Sequence, residues 1–228
     1  MSVSGGTPRK RSAQFLCGAV AGPLFVAAFT AIGAARRGYD WRRYPVSSLA
    51  IGPHGWRQRI NFIVAGVLYL YAAAGLGRCS RRHVGPRAVP ALVAGVGIGL
   101  IGSGVFVTDY AGDLLSEGPD VKKRGLADAA PTRRTRAGQM HDLCGIPVFA
   151  GIPIAGLASA AAAVRSGDYR WACYSGGSSM AMVGSLLLFG AAIRGHSRLS
   201  GKSGALQRIS LATGLGWLTS LSLRGLSR

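Results

Sequence analysis

Six apolar runs, each close to the length that a membrane crossing needs, constrain this chain more than any other feature. They lie roughly at Ala13 to Ala35, Ile60 to Gly77, Ala88 to Val107, Gln139 to Val164, Trp171 to Ile193 and Ile209 to Leu226. A helix must supply about 20 consecutive apolar residues to cross a hydrocarbon core. The apolar residues are bunched and do not recur at helix or strand period, which argues against an ordinary soluble domain. Hydrophobic residues make up 49% of the 228 and charged residues only 15%. The runs predict an all-α fold, an integral membrane bundle of six transmembrane helices. Residues 1–12 form a basic N-terminal tail and residues 13–228 the six-helix domain, with helices at about 13–35, 60–77, 88–107, 139–164, 171–193 and 209–226. A mobile polar loop is expected at 108–138, where Pro, Gly and mixed charges cluster.

The second and sixth runs are the shortest, and the sixth carries Arg224 near its end, where a long side chain can snorkel to the headgroups. The first run follows Arg9, Lys10 and Arg11 but is longer than a usual signal-peptide core, so it reads as a crossing. Cys17, Cys79, Cys144 and Cys173 show no CxxC pairing or metal-type spacing and are expected to be free thiols. Gly95, Gly97, Gly99, Gly102 and Gly104 in the third run suggest a helix whose neighbours approach closely, since small residues permit that approach in membranes.

The net charge is +19, from 27 Lys and Arg against 8 Asp and Glu. These basic residues are scattered through every polar segment and accompany no nucleic-acid motif, so nucleic acid is excluded as a partner. Anionic membrane lipids are the expected partners, each Lys or Arg near a charged surface contributing about 1 kcal/mol. A plain count of Lys and Arg favours an outside N-terminus, whereas charge density favours both termini on the cytoplasmic side of the cell membrane. The second is the reading taken here.

Six crossings place the loops after the first, third and fifth helices at one membrane face. This gathers Tyr39, Asp40, Tyr44, Ser47, Ser48, His54, Arg57, Asn61, Asp109, His141, Asp142, Gln207 and Arg208 into one layer. The opposite face offers Arg78, Cys79, Arg81, Arg82, His83, Arg87, Arg165, Asp168 and Arg170, which read as lipid-facing basic trim. Charged groups near hydrocarbon are costly unless paired or wetted, so Asp109, His141, Asp142 and Arg208 are expected to face one another or a water-filled pocket. His141 and Asp142 are neighbours, about 100° apart on a helix, and cannot point the same way. One arrangement pairs Asp142 with Arg208 and sets His141 in the pocket beside Asp109.

The segments YDWRRYPVSSLAIGPHGW, NFIVAGVLYL, GVFVTDYAG, GQMHDLCGIPVFAGIP and GALQRISLATGLGWL, taken in order, resemble the uncharacterised bacterial membrane family called domain of unknown function nine-nine-eight. The similarity runs from the first helix to the sixth. The resemblance implies shared positions at the PVSSLAIG turn with Ser47 and Ser48, at Asn61, at Thr108-Asp109, at His141-Asp142 and at Gln207-Arg208. The family commonly has proline where this chain has Tyr110 and an aromatic residue where it has His54. No reaction comes with the resemblance.

Function is therefore read from the residues. The leading expectation is a polar pocket that binds a lipid headgroup or small ligand, with Asn61, Asp142, Gln207 and Arg208 as candidate binding residues. The alternative is a membrane-embedded hydrolase or transferase acting on a lipid: Ser47 or Ser48 as nucleophile, His141 as general base, Asp109 orienting it, Arg208 clamping a phosphate or carboxylate. Against it stands a structural account in which the serines build a turn after Pro45 and the charged groups form a hydrogen-bonded network. A metal site from His54, His141, His196, Asp109 and Asp142 lacks HxxxH or HExxH spacing, so no metal or other cofactor is expected. Transport is disfavoured because the ionisable residues lie at helix ends and the two halves show no repeat.

Overall fold

The computed structural model describes residues 8–79, 85–109 and 134–227. Among them are seven helical segments: α1 (Pro8–Ala35), α2 (Trp56–Leu76), α3 (Ala88–Val105), α4 (Arg136–Phe149), α5 (Gly151–Arg165), α6 (Tyr169–Ile193) and α7 (Ser203–Leu226). Short 3-10 turns occupy Val46–Ala50 and Ser197–Leu199, and the described residues include no strand. Most of the loop expected at 108–138 lies outside the described residues.

Five helices are long and apolar enough to cross a membrane: Lys10–Ala35, Trp56–Leu76, Ala88–Val105, Arg136–Arg165 and Tyr169–Ile193. The fourth is α4 and α5 together, broken at Ala150, whose φ is −101°. Pro147 and Pro153 flank this break, and each removes one N–H from the helical ladder. The last helix, α7, has 24 residues yet falls short of the same criterion, because Ser, Thr and Gln dilute its apolar content. Two of those serines are satisfied inside the bundle: Ser210 Oγ donates to Met182 O at 3.1 Å, and Ser222 Oγ to Leu218 O at 2.9 Å.

Successive helices pack against each other, and α7 returns to pack on α1, so the bundle closes into a ring in chain order. Its centre holds Phe15, Phe25, Leu100, Ile152, Met182 and Trp217. Backbone groups freed from a helix need partners where water is absent. Pro23 in α1 leaves Ala19 O without its i+4 donor, and Thr219 Oγ1 of α7 supplies one at 3.2 Å.

The glycine-rich α3 is tightly held, as its composition suggests. A Cβ on Gly66 of α2 would sit 2.5 Å from Gly97 O, and one on Gly97 would sit 2.7 Å from Gly66 O. On the other side of α3, Gly99 and Gly102 lie against Cys144 of α4. Only glycine allows both approaches.

The segments that follow α1 and α6 meet at one end of the bundle, where the end of α3 meets α4. Val46 N donates to Gln207 Oε1 at 2.7 Å, Ala205 N to Arg42 O at 3.0 Å, and His141 Nδ1 reaches Phe106 O at 2.9 Å. The opposite end is better tied than basic trim would be. Asp168 Oδ1 caps α6 by accepting from Trp171 N, its Oδ2 pairs with Arg224, and Arg224 lies 4.8 Å from the Trp171 ring centroid. Arg78 Nη1 donates to Gln14 Oε1 at 3.2 Å.

Candidate ligand-binding site

Between the 3-10 turn, α2, α3, α4, α6 and α7 lies a cavity of about 450 Å³. Its walls are largely apolar, with Phe62, Leu100, Val148, Phe149, Phe189 and Leu211 among them. Four polar residues also line it and are almost fully buried: Ser103 at 4% exposure, Gln207 at 6%, Ser47 at 7% and His141 at 8%.

Each is set in place by its own element. Pro45 fixes the entry to the turn, with Ser48 N donating to Pro45 O at 3.1 Å, and the turn carries Ser47 toward the cavity. Ser48 points the other way and is wholly buried, its carbonyl accepting from Arg36 Nη1. Gln207 spends Oε1 on Val46 N, which ties α7 to the turn and leaves its Nε2 without a partner among the described residues. His141 bonds Phe106 O through Nδ1; a carbonyl can only accept, so Nδ1 carries a proton, and in the neutral ring Nε2 then keeps its lone pair. Phe62 meets the His141 ring edge-on at 6.1 Å. The hydroxyls of Ser47 and Ser103 likewise have no hydrogen-bond partner among the described residues.

The cavity reaches the outer surface of the bundle. Ile146 lines it and is 56% exposed, and α4 packs on α3 and α5 with no substantial packing against α6. Asp142 and Arg194 stand at this mouth.

Several expected pairings are replaced. Asp142 pairs with Arg134, not with Arg208, because it projects from α4 away from His141 toward the chain that enters the helix. Arg208 instead donates to the carbonyls of Trp41 at 2.7 Å, Tyr44 at 3.0 Å and Gly204 at 3.0 Å, and to Tyr39 Oη. It lies on the far side of the turn, outside the cavity that holds His141. Asp109 accepts from Thr135 N at 2.8 Å and Thr135 Oγ1 at 2.7 Å, while Thr135 Oγ1 accepts from Gly138 N at 3.0 Å. Asp109 thus builds the N-cap of α4, where its charge also suits the helix dipole, and the orienting bond to His141 comes from Phe106. No hydrogen bond joins Ser47 to His141 among the described residues. Asn61 Nδ2 bridges to Phe25 O of α1 at 3.1 Å and does not line the cavity.

His54 and His196 do not join His141, and no group of three or more His, Cys, Asp or Glu among the described residues could hold a metal. Ser103 escaped the sequence reading because a lone hydroxyl in a glycine-rich helix looks like packing. The Phe106 carbonyl could not have been singled out, since its role depends on where α3 ends.

An all-helical chain with five apolar helices of crossing length is a multi-pass membrane protein. It belongs to the DUF998 family, described as Protein of unknown function (DUF998), whose model matches residues 19–224. No curated protein and no solved structure matches the chain.

Proposed function

We propose that the protein is a six-crossing membrane protein whose cavity binds a small amphiphile, without chemistry, by its uncharged polar head. The observation that carries this reading is the convergence on one apolar cavity of four polar groups, carried by nearly buried residues, that make no hydrogen bond among the described residues: Nε2 of His141, Nε2 of Gln207 and the hydroxyls of Ser47 and Ser103. Polar groups on buried residues are usually hydrogen-bonded, so these four are available to whatever fills the cavity. A cavity of about 450 Å³ lies within the range of small-molecule sites, which pair apolar walls with a few placed polar groups. Nε2 of His141 accepts, Nε2 of Gln207 donates, and the two hydroxyls do either. An alcohol, amide or ester head on an apolar body matches that set, and the mouth between α4 and α6 gives it a sideways route from the bilayer.

The sixth crossing is α7, supported by its 24 residues and its packing between α6 and α1. Six crossings return the C-terminus to the side of the N-terminus, which we assign to the cytoplasmic side of the cell membrane. Reporter fusions at Asp120 and at the C-terminus then give opposite sides; a same-side result removes the six-crossing reading.

Ligand binding is tested by native mass spectrometry of the purified protein. Wild type retains an amphiphile from the membrane; Ser103→Leu loses it while keeping the unfolding midpoint, and Gln207→Leu loses it with a lower midpoint, because Val46 N is left unpaired. Equal adducts in all three, or none together with no saturable uptake of a fluorescent fatty alcohol, exclude the reading.

A hydrolase or transferase is the second reading, favoured by one observation: the free Nε2 of His141 and the Ser47 hydroxyl line the same cavity. Its mark is covalent labelling of Ser47 by a fluorophosphonate, abolished by His141→Gln. An unlabelled Ser47 rejects it.

A further inference from the structure

A second cavity, of about 360 Å³, lies across the turn from the first. Its walls come from the last turns of α1 (Phe29, Thr30, Arg36), from the loop (Tyr39, Trp41) and from Arg208 of α7. Two guanidinium groups therefore share one small space. Both ion pairs among the described residues lie elsewhere, at Arg134–Asp142 and Arg224–Asp168.

The arginines are anchored but not neutralised. Arg36 Nη1 donates to the carbonyls of Ser48 at 3.3 Å and Leu49 at 3.5 Å, leaving Nε and Nη2 with no acceptor among the described residues. Arg208 spends Nη1 on three carbonyls and one N–H of Nη2 on Tyr39 Oη, leaving Nε and the other Nη2 hydrogen. Carbonyl partners hold a guanidinium in place but bring no negative charge. Asp40, the nearby carboxylate of the same loop, accepts from Arg42 N at 2.8 Å and pairs with neither arginine, though its charge is felt at Tyr39, the least of the influences there. Tyr39 donates its own O–H to the carbonyls of Tyr44 and Pro45, so it presents no negative charge to the arginines.

Fixed, forked donors with surplus positive charge are the groups that recognise phosphate, and arginine suits this because its planar fork meets two oxygens at once. The aromatic rings keep that fork pre-aimed: Arg208 lies 5.5 Å from the centroids of both Phe29 and Tyr39. Trp41, half exposed at the rim, is the residue type that settles at headgroup level. The cavity also sits at the helix ends, where the phosphate layer of a bilayer lies.

We propose that the cavity walled by Arg36, Tyr39, Trp41 and Arg208 binds a phosphate group, of the kind carried by an anionic phospholipid headgroup or by free phosphate. This site is distinct from the cavity of His141 and takes a charged head where that one takes an uncharged one.

The test uses the full chain in neutral detergent, titrated separately with phosphatidylglycerol, phosphatidylcholine and inorganic phosphate, read by thermal unfolding and by lipid retained in native mass spectra. Phosphatidylglycerol raises the unfolding midpoint and is retained, and phosphatidylcholine does neither. Arg36→Gln weakens phosphatidylglycerol binding about fivefold or more, whereas Arg198→Gln, on the exposed loop before α7, leaves it unchanged. Thr30→Glu, which sets a carboxylate in the cavity from an exposed position of α1, abolishes it. Inorganic phosphate that gives the same protection and displaces the lipid assigns the site to a free anion; phosphate without effect assigns it to the lipid. Equal protection by the two lipids, or wild-type binding in a folded Arg36→Gln or Thr30→Glu variant, overturns the proposal.

Discussion

His141 on α4 is held by the carbonyl of Phe106, just past the end of α3, through Nδ1 at 2.9 Å. The bond splits the ring into two jobs. Nδ1 ties α4 to α3, and Nε2 is left for the cavity.

The two jobs separate by substitution. Asn can place its amide nitrogen near the position of Nδ1, so His141→Asn is expected to keep stability within about 1 kcal/mol while losing the cavity acceptor. His141→Ala leaves the Phe106 carbonyl unpaired as well and is expected to cost about 1 to 3 kcal/mol. Thermal unfolding in detergent, beside amphiphile retention for both variants, checks this. Retention equal to wild type in His141→Asn removes Nε2 from the site.

Arg208 should matter far more than its neighbour in the preceding loop. It holds the chain from Tyr39 to Tyr44 on α7 by three hydrogen bonds, and charged hydrogen bonds contribute about 1.5 to 3 kcal/mol each at most. Arg208→Ala is expected to lower stability by about 3 kcal/mol or more, and Arg198→Ala, an exposed arginine, by about 0 to 1. Asp142→Asn belongs with the second: its pair with Arg134 is largely solvent-facing. Equal unfolding midpoints for the two arginine variants would sink the clamp.

Tyr39 makes the same clamp sensitive to alkali. Burial raises its pKa above the ordinary 10.0, against the opposing pull of Arg208. A raised acid favours its neutral form on folding, so its contribution is complete below the unfolded value of 10.0 and declines as pH climbs through the folded value. Wild type should therefore lose stability in that alkaline range more steeply than Tyr39→Phe. Parallel curves of unfolding midpoint against pH for the two proteins would contradict it.

How far the sequence reached differs between fold and site. The all-helical, apolar character of the fold was legible because apolar length is a property of the chain alone, and five helices of crossing length are present. The pairings are another matter. Asp142 and Arg208 looked complementary because they share a face, yet the choice of partner depends on which way each side chain leaves its helix. Asp142 leaves α4 about 100° round from His141 and meets Arg134. Arg208 faces carbonyls left open by an irregular loop, and no sequence pattern marks an open carbonyl. The break at Ala150 was hidden for a related reason, since Pro147 and Pro153 lie in an unbroken apolar run.

The cap of α4 offers the sharpest check of a local geometry. Thr135 and Asp109 bond each other, Thr135 bonds Gly138 N, and the Asp109 carboxylate rests directly on the Gly138 backbone, where a Cβ would overlap its oxygens. Alanine at position 138 would ordinarily favour a helix by about 0.5 to 1 kcal/mol over glycine. Here it must displace Asp109 and break the cap, so Gly138→Ala is expected to destabilise by about 1 to 2 kcal/mol, the usual worth of an N-cap. Asp109→Ala should cost a similar amount alone. The double variant is where the geometry shows: with the carboxylate gone, alanine at 138 meets no obstacle and its propensity returns, so the pair should be about as stable as Asp109→Ala or slightly more so. That is a coupling of about 1 kcal/mol or more, within the range for residues in contact. Thermal unfolding of the four proteins measures it, and additive losses would show that Asp109 does not sit on Gly138.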